Sequence, residues 1–443
     1  MLPMTSTAPN LSHSLLQAAE AHAAVLQGQA LPDAIAWLTH SGPERGAMQD
    51  LAYHAMRQHG TTNALVKALS HRPVRPPLLH SLLCVSLSLL LPVEDGPTYD
   101  SFTVVDQAVE AAQSHPELRA AKGMVNAVLR NFLREQTNLL AKVMALPEAR
   151  WNYPAWWVET VRDTYPEQWE TILQAGNQKP PLTLRVNQRQ STVAQYLDRL
   201  NSAGIAAEQI GLSAVRLAQP IPVAKIPGFE EGMVSVQDAG AQLAAQLLNV
   251  QAGQRVLDAC AAPGGKTGHL LEMADIELLA LEYDHDRLDL ITENLQRLKL
   301  AALVLGGDAN KPNHWWDGVQ FDAILADVPC TASGIVRRHP DIRWLRHRGD
   351  ARQLAGQQSH VCDALWPLLK PGGKLLYATC SIFTEESSLQ AQQWLKRHSD
   401  AQLLTPMLQL LPGVTMAPIP NMKSLPLPQD HDGFFYALFE KRA

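Results

Sequence analysis

Residues 254–269 read Gln254-Arg-Val-Leu-Asp-Ala-Cys-Ala-Ala-Pro-Gly-Gly-Lys-Thr-Gly-His269. The first seven form a strand-like run. The small residues and glycines after it end the strand and open a helix, where free backbone N–H groups can meet a ligand. The same punctuation recurs downstream. Glu277-Leu-Leu-Ala-Leu-Glu282, Leu303-Val-Leu305, Phe321-Asp-Ala-Ile-Leu-Ala-Asp327 and Gly373-Lys-Leu-Leu-Tyr-Ala-Thr379 read as four further strands, with helices between them. This alternation predicts an α/β domain over 236–443, built on a doubly wound parallel sheet. Gly433-Phe-Phe-Tyr-Ala-Leu-Phe-Glu440 reads as its closing strand, and Pro367-Leu-Leu-Lys-Pro-Gly-Gly373 as a helix exit and turn.

Upstream the texture differs. Residues 146–235 read as a small α+β domain: a strand at Pro180–Asn187, a helix at 193–203, and strands near 214–219 and 233–236. Trp151, Trp156, Trp157 and Trp169 open this region and are expected to pack as core. Residues 1–145 read as all helical. Ser14–Leu26 and runs near 47–58, 63–70, 76–91, 102–113 and 121–144 carry apolar positions at helical spacing. In the last run Lys122, Asn126, Arg130 and Arg134 fall at i, i+4 spacing and form one basic stripe. A solvated helix face and an RNA-facing one are both open readings of it.

The chain has 443 residues, 46% of them hydrophobic, and a formal net charge of −6. Its length implies two or three domains. Its charge argues against a general nucleic-acid coat protein, so RNA contact would rest on local patches. The five cysteines (Cys84, Cys260, Cys330, Cys362 and Cys380) show no CxxC pair and no His/Cys ligand spacing, so neither zinc nor a disulfide framework is expected. Met1-Leu-Pro-Met-Thr-Ser6 lacks the features of a signal peptide. Leu82–Pro92 is too short to span a bilayer and suits a buried helix. A soluble, cytoplasmic protein without membrane or metal partners is expected, as a monomer.

Three readings compete for the turn after the first strand. Gly264-Gly265-Lys266-Thr267 resembles the end of a phosphate-binding P-loop, but Cys260 stands where that motif needs glycine. The dinucleotide fingerprint fails on glycine spacing, and a plain strand-to-helix turn stays open. Acidic strand ends favour another ligand. Glu282, about twenty residues on, offers a carboxylate to a ribose diol. Asp308 is placed for an adenine amino group, and Asp327 closes the fourth strand. A neutral turn of Cys260, Ala261, Ala262, Pro263, Gly264, Gly265 and Lys266 with acidic strand ends suits a cationic nucleoside such as S-adenosyl-L-methionine.

Two of the cysteines, Cys330 and Cys380, each stand just past a strand end, where open α/β sheets gather their chemistry. Either thiol could attack a substrate. The alternative for each alone is a buried apolar thiol, the reading adopted for Cys84 and Cys362.

Asp258-Ala-Cys-Ala-Ala-Pro-Gly-Gly-Lys-Thr267, Asp327-Val-Pro-Cys-Thr-Ala-Ser-Gly334, Arg337-Arg-His-Pro-Asp-Ile-Arg-Trp344 and Tyr377-Ala-Thr-Cys-Ser381 together resemble the RNA cytosine-5 methyltransferases. Within these the chain is similar to the bacterial ribosomal RNA small subunit methyltransferase B group, also called Sun or Fmu, over nearly its whole length. The resemblance implies a Rossmann-like methyltransferase domain preceded by a NusB-like helical domain and a small α+β domain. It implies an enzyme acting on 16S ribosomal RNA or an early small-subunit particle. Cys380 would be the nucleophile and Cys330 the helper in product release, with Asp327 and Lys266 at the base. A transfer-RNA substrate, or a non-catalytic assembly factor on the same fold, are the competing readings. The basic stretch Arg337–Arg348, including Arg338 and Arg343, would meet RNA phosphates at the rim of the site, with Lys122 and Arg130 contributing from the helical front. Two departures stand out: Glu282 where aspartate is usual, and Val328 where alanine is usual, the latter expected to tighten the base pocket.

Overall fold

The computed structural model describes residues 10–38, 43–70, 72–92, 99–415 and 427–442. The opening residues 1–9, which include the segment tested for a signal peptide, lie outside that set. The chain divides into two compact units. One is Met1–Gln178 with Val336–Arg348; the other is Lys179–Ile335 with Gly349–Ala443.

The first unit is helical. Its larger helices are Leu11–Leu26, Pro43–Arg57, His59–Leu69, Pro77–Leu90, Ser101–Ser114 and Lys122–Val143. They form where the sequence spaces apolar residues by three and four, and they bury that face around Leu15, Leu82, Leu83, Val104, Val125 and Leu129. Asn10 and Asp100 cap two of them by accepting the backbone N–H of Ser12 and Thr103. Pro77–Leu90 contains most of the run Leu82–Pro92, expected as a buried helix, and ten of its fourteen residues are buried. Among the described residues no helix is long and apolar enough to cross a membrane. A short helix, Leu31–Leu38, was not expected. Lys122–Val143 leaves helical geometry at Glu135, so the basic stripe ends where the first straight segment ends. The tryptophans pack as expected: Trp157 is wholly buried, and the Trp151 and Trp169 rings meet edge-on at 4.9 Å.

The second unit holds two sheets. The smaller runs β2 (Ala207–Gln209), β3 (Ala214–Leu217), β1 (Thr183–Val186) and β4 (Val234–Val236), paired antiparallel. A helix at Val193–Ser202 starts at a capping box of Thr192 and Gln195. The strand β2 was missed because its three residues, Ala-Glu-Gln, carry no strand-forming side chain.

The larger sheet contains β5 (Arg255–Ala259), β6 (Glu277–Glu282), β7 (Leu303–Gly306), β8 (Phe321–Asp327), β9 (Leu369–Thr379), β10 (Ala401–Leu403), β11 (Leu408–Leu410) and β12 (Phe434–Lys441). Its order is β10-β12-β9-β8-β5-β6-β7, with β11 paired to β12. The strands from β9 through β7 are parallel, while β12 is antiparallel to β9. The five strands expected to be parallel are so, and the closing strand, whose direction the sequence left open, makes the sheet mixed. One expected turn also lies inside a strand: β9 begins at Leu369, and its pairing with β8 jumps from Phe321–Leu369 to Ala323–Lys374. Pro371, Gly372 and Gly373 are accommodated there as a bulge, with Gly372 at φ +76°. From β5 the chain winds outward to β7, then crosses back to place β8 on the other side of β5. The crevice between the carboxyl ends of β5 and β8 is thus the topological switch point, the usual ligand position of such sheets.

Candidate active site

Both loops at the switch point carry the residues singled out in the sequence. After β5, Cys260 adopts φ +64° and Gly264 φ +89°. Gly264 precedes the helix Gly265–Met273, and a Cβ on it would stand 3.2 Å from the Ile291 Cα, so the turn packs against the next helix only with glycine there. Arg185, wholly buried on β1, braces this turn from the small sheet. It donates to the Gly265 carbonyl at 2.7 Å and grips Glu272 with two nitrogens, at 2.6 and 2.9 Å.

Asp258 is buried at the end of β5. Its Oδ2 accepts from Thr267 Oγ1 at 2.7 Å, while its Oδ1 is buried without a hydrogen-bond partner. Burial pushes this carboxyl up to about 7 against the opposing Thr267 bond. Glu282 has each oxygen on one backbone N–H, of Ala262 at 2.9 Å and Asp284 at 3.0 Å, so it shapes the turn and retains lone pairs for a diol. Asp308 accepts from Asn310 and pairs with Lys311 at 3.2 Å. With Tyr283, Asp284, His285 and Gly307 it lines a cleft of about 500 Å³. An orphaned buried acceptor, a glycine-lined turn and an adjoining cleft with acidic walls fit a nucleoside bearing a cation.

On the other side of the crevice Lys266 Nζ meets Asp327 Oδ2 at 2.6 Å. Burial works against the ammonium, but Asp327, then Cys380 and Asp258, outweigh it and hold Lys266 above its ordinary value. Cys330 and Cys380 follow β8 and β9, and their sulfurs lie 3.4 Å apart. Contact with Cys380, then burial, pushes the Cys330 thiol well up. The other cysteines differ. Cys84 and Cys362 are buried in apolar clusters, each pushed up to about 12 by burial, and burial also pushes up Cys260.

Some expectations are corrected here. Arg343 is wholly buried: it donates to Asn152 O at 2.9 Å, Asn177 Oδ1 at 2.5 Å and Gly176 O at 2.8 Å, with its guanidinium 4.0 Å from the Tyr153 ring. Its donors serve backbone carbonyls and the Asn177 side chain in the interior, so it cannot reach RNA phosphates. Arg337 is 6% exposed and Arg338 half-buried, which removes Arg337 from the rim as well. Val328 is 3% exposed and packs into the apolar cluster under the sheet, not into the base pocket. Lys122 and Arg130 are exposed, and Arg130 donates to Asn126 at 2.9 Å.

Residues 14–134 match the NusB family, residues 153–224 the ferredoxin-like domain of RsmF/B-like methyltransferases, and residues 245–440 the 16S rRNA methyltransferase RsmB/F family. The ribosomal RNA small subunit methyltransferase B of Serratia proteamaculans is 42% identical over 420 residues, covering 93% of this chain and 94% of its own length. The protein of the same name from Vibrio cholerae is 41% identical over 90% of each chain. The chain belongs to the ribosomal RNA small subunit methyltransferase B family. Among solved structures, PH0851 superposes over 97% of this chain and 99% of its own at a TM-score of 0.74 and 22% identity. A methyltransferase homologue from Pyrococcus horikoshii covers 66% of this chain and 97% of its own, at 0.56 and 27%. The family's architecture of NusB-type helical front, ferredoxin-like unit and Rossmann-like catalytic domain is the one the sequence predicts.

Two groups escaped the sequence. Glu386, wholly buried beside both thiol loops, lies just past the Thr-Cys-Ser motif and carries no spacing signal of its own. His22, His59 and Cys84, far apart in sequence, bring possible ligand atoms within 4.8 Å of one another in the helical unit. The imidazoles there already bond each other at 3.0 Å, and His22 bonds Ser81 at 2.9 Å, which accounts for their burial without an ion.

Proposed function

We propose that this family member methylates C5 of a cytosine in 16S ribosomal RNA through a covalent cysteine adduct, with S-adenosyl-L-methionine as methyl donor. The observation that carries this reading is the pair of sulfurs 3.4 Å apart at the switch point, beside the Lys266–Asp327 pair. C5 of cytosine is a poor nucleophile, and addition of a thiolate to C6 makes it an enamine-like carbon. Asp258, Glu282, Asp308 and the turn Cys260–Lys266 would hold the cofactor, which supplies an electrophilic methyl group. Asp327 and Lys266 face the base and stabilise the charge that the adduct displaces onto it.

Cys380 is assigned the attack. Its thiolate forms the S–C6 bond as the C5–C6 π pair moves to C5, and that pair would take the methyl group that the donor supplies, the broken S–CH3 bond leaving its pair on the donor's sulfur. Once Cys380 is tied up as a thioether its share in holding up the Cys330 thiol is gone, while burial still opposes the thiolate, so Cys330 acts as a base only after giving its proton to solvent. Cys330 then takes the C5 proton. The freed C–H pair restores the C5–C6 double bond as the S–C6 pair returns to Cys380.

The test is trapping on a denaturing gel with small-subunit rRNA and the labelled donor. Cys380→Ala should lose methylation by ~10⁴-fold or more and form no adduct. Cys330→Ala should accumulate adduct. The reverse pattern would move the nucleophile to Cys330. A wild-type chain that neither methylates nor traps any rRNA, though folded, would refute the reading in favour of transfer RNA if that RNA is methylated, or of an assembly role if neither is.

A further inference from the structure

The two thiols sit on loops from different strands, so something must hold those loops in register. The residue after Cys330 is Thr331, and the residue after Cys380 is Ser381. One carboxylate holds both. Glu386 accepts the Thr331 backbone N–H at 2.8 Å, the Thr331 hydroxyl at 2.5 Å and the Ser381 hydroxyl at 2.6 Å. A fourth donor, Gln358 Nε2, reaches it at 3.0 Å and also reaches the carbonyl of Pro329, the residue before Cys330, at 2.9 Å. Ser333 Oγ completes the cluster. It stands 3.1 Å from the Thr331 hydroxyl and 3.0 Å from that of Ser381, and it accepts the Ile382 N–H at 2.9 Å. The Tyr377 hydroxyl stands 2.8 Å from both Gln358 Oε1 and the Glu386 carbonyl, with one proton to give to either, and ties the cluster to β9.

Glu386 and Ser381 are wholly buried, and Thr331 and Ser333 are each 1% exposed. A carboxylate in such a place is retained only when its oxygens are fully used, and four donors use them here. Burial raises this carboxyl and the four donors oppose that rise. The cluster is closed off from solvent. Its effect must run through the residues it grips.

We propose that Glu386 is a positioning residue for both thiols: by gripping Thr331 and Ser381 with one carboxylate it fixes the separation of Cys330 and Cys380, and with it the balance between adduct formation and release. This rests on the covalent reading above and deepens it. Displacement of a reacting group by about 1 Å can cost ~100-fold in rate, so loosening the grip should reach the chemistry without touching either binding site.

The experiment uses the full chain and two independent readouts. The first is steady-state methylation of small-subunit rRNA together with adduct trapping. The second needs no RNA: diamide takes up the two thiol hydrogens as two S–H bonds give one S–S bond, and the rate of Cys330–Cys380 closure is followed by mass spectrometry. Glu386→Ala should lower kcat by ~10–100-fold, leave both KM values within about twofold, and slow closure by ~10-fold. Glu386→Asp should recover part of both losses, since it keeps the charge on a shorter arm. Ser381→Ala removes a single arm and should show smaller losses in the same two readouts; it keeps the test open if Glu386→Ala fails to fold. Unchanged kcat and closure in a folded Glu386→Ala or Ser381→Ala chain would overturn the proposal, as would a loss seen in KM with kcat intact. If the wild type proves inactive on rRNA, the function reading fails, while the closure rates still decide whether Glu386 sets the thiol geometry.

Discussion

Arg130 and Arg343 belong to two stretches that concentrate cations, and the structure uses them in opposite ways. Arg130 lies on the exposed face of the helix Lys122–Val143 and donates to Asn126 one turn back, leaving its remaining donors toward water. Arg343 lies in the inserted segment 336–348, wholly buried, with its donors on two backbone carbonyls and an asparagine and its guanidinium against Tyr153. Burial pulls that guanidinium below its ordinary value. The difference lies in the backbone around each. A regular helix satisfies its own carbonyls, so its arginines are free to face solvent. The irregular ends at Asn152 and Gly176 leave carbonyls that need a donor, and a planar fork supplies several from one side chain. Arginine density in a chain therefore marks a charged surface only where the neighbouring carbonyls are already paired.

The largest expected effect tests the buried side of this contrast. Arg343→Met should destabilise the chain by about 3 kcal/mol or more in chemical denaturation, because it strands buried acceptors. Arg343→Lys should recover little of this, since an ammonium cannot span the same three acceptors. RNA affinity of the folded fraction, and its salt slope, should stay as in the wild type. A stable Arg343→Met chain with weakened RNA binding would break the comparison and return Arg343 to the RNA-facing surface.

The exposed side predicts a smaller and different effect. Lys122→Glu combined with Arg130→Glu should leave unfolding within about 0.5 kcal/mol of wild type. It should weaken rRNA binding by ~10-fold and flatten the dependence of log K on log salt by ~1.4–1.8, the loss of two phosphate contacts. An unchanged slope would make the stripe an ordinary solvated face.

The same physics explains what the sequence made legible. The five parallel strands and the front helices are visible because their apolar periodicity is local. The cofactor turn and the thiols are visible because strand ends and glycines are local too, and the resemblance ranked Cys380 above Cys330 where position could not. Burial of a polar side chain is not local. Arg343 depends on carbonyls at 152 and 176, and Glu386 on donors at 331, 358 and 381, none of which any periodicity connects. Val328 misled for the same reason, since a residue between two site residues was expected to face the site, while the strand's alternation turns it into the core.

Arg348 carries the smallest expected effect and refines the contrast furthest. Of the five arginines in 336–348 it alone is exposed, and it pairs with Glu159 at 2.6 Å, with side chains 68% and 53% accessible. An ion pair that open to water and salt contributes little, so Arg348→Ala should move unfolding by less than about 0.5 kcal/mol. Its RNA readout is the informative one. If segment 336–348 is structural along its length, the salt slope of Arg348→Ala stays within error of wild type. A slope flattened by one contact, ~0.7–0.9, would give the segment an RNA-facing end beyond a structural core. The contrast would then lie between Arg343 and Arg348, five residues apart, and would still follow which of them has carbonyls to satisfy.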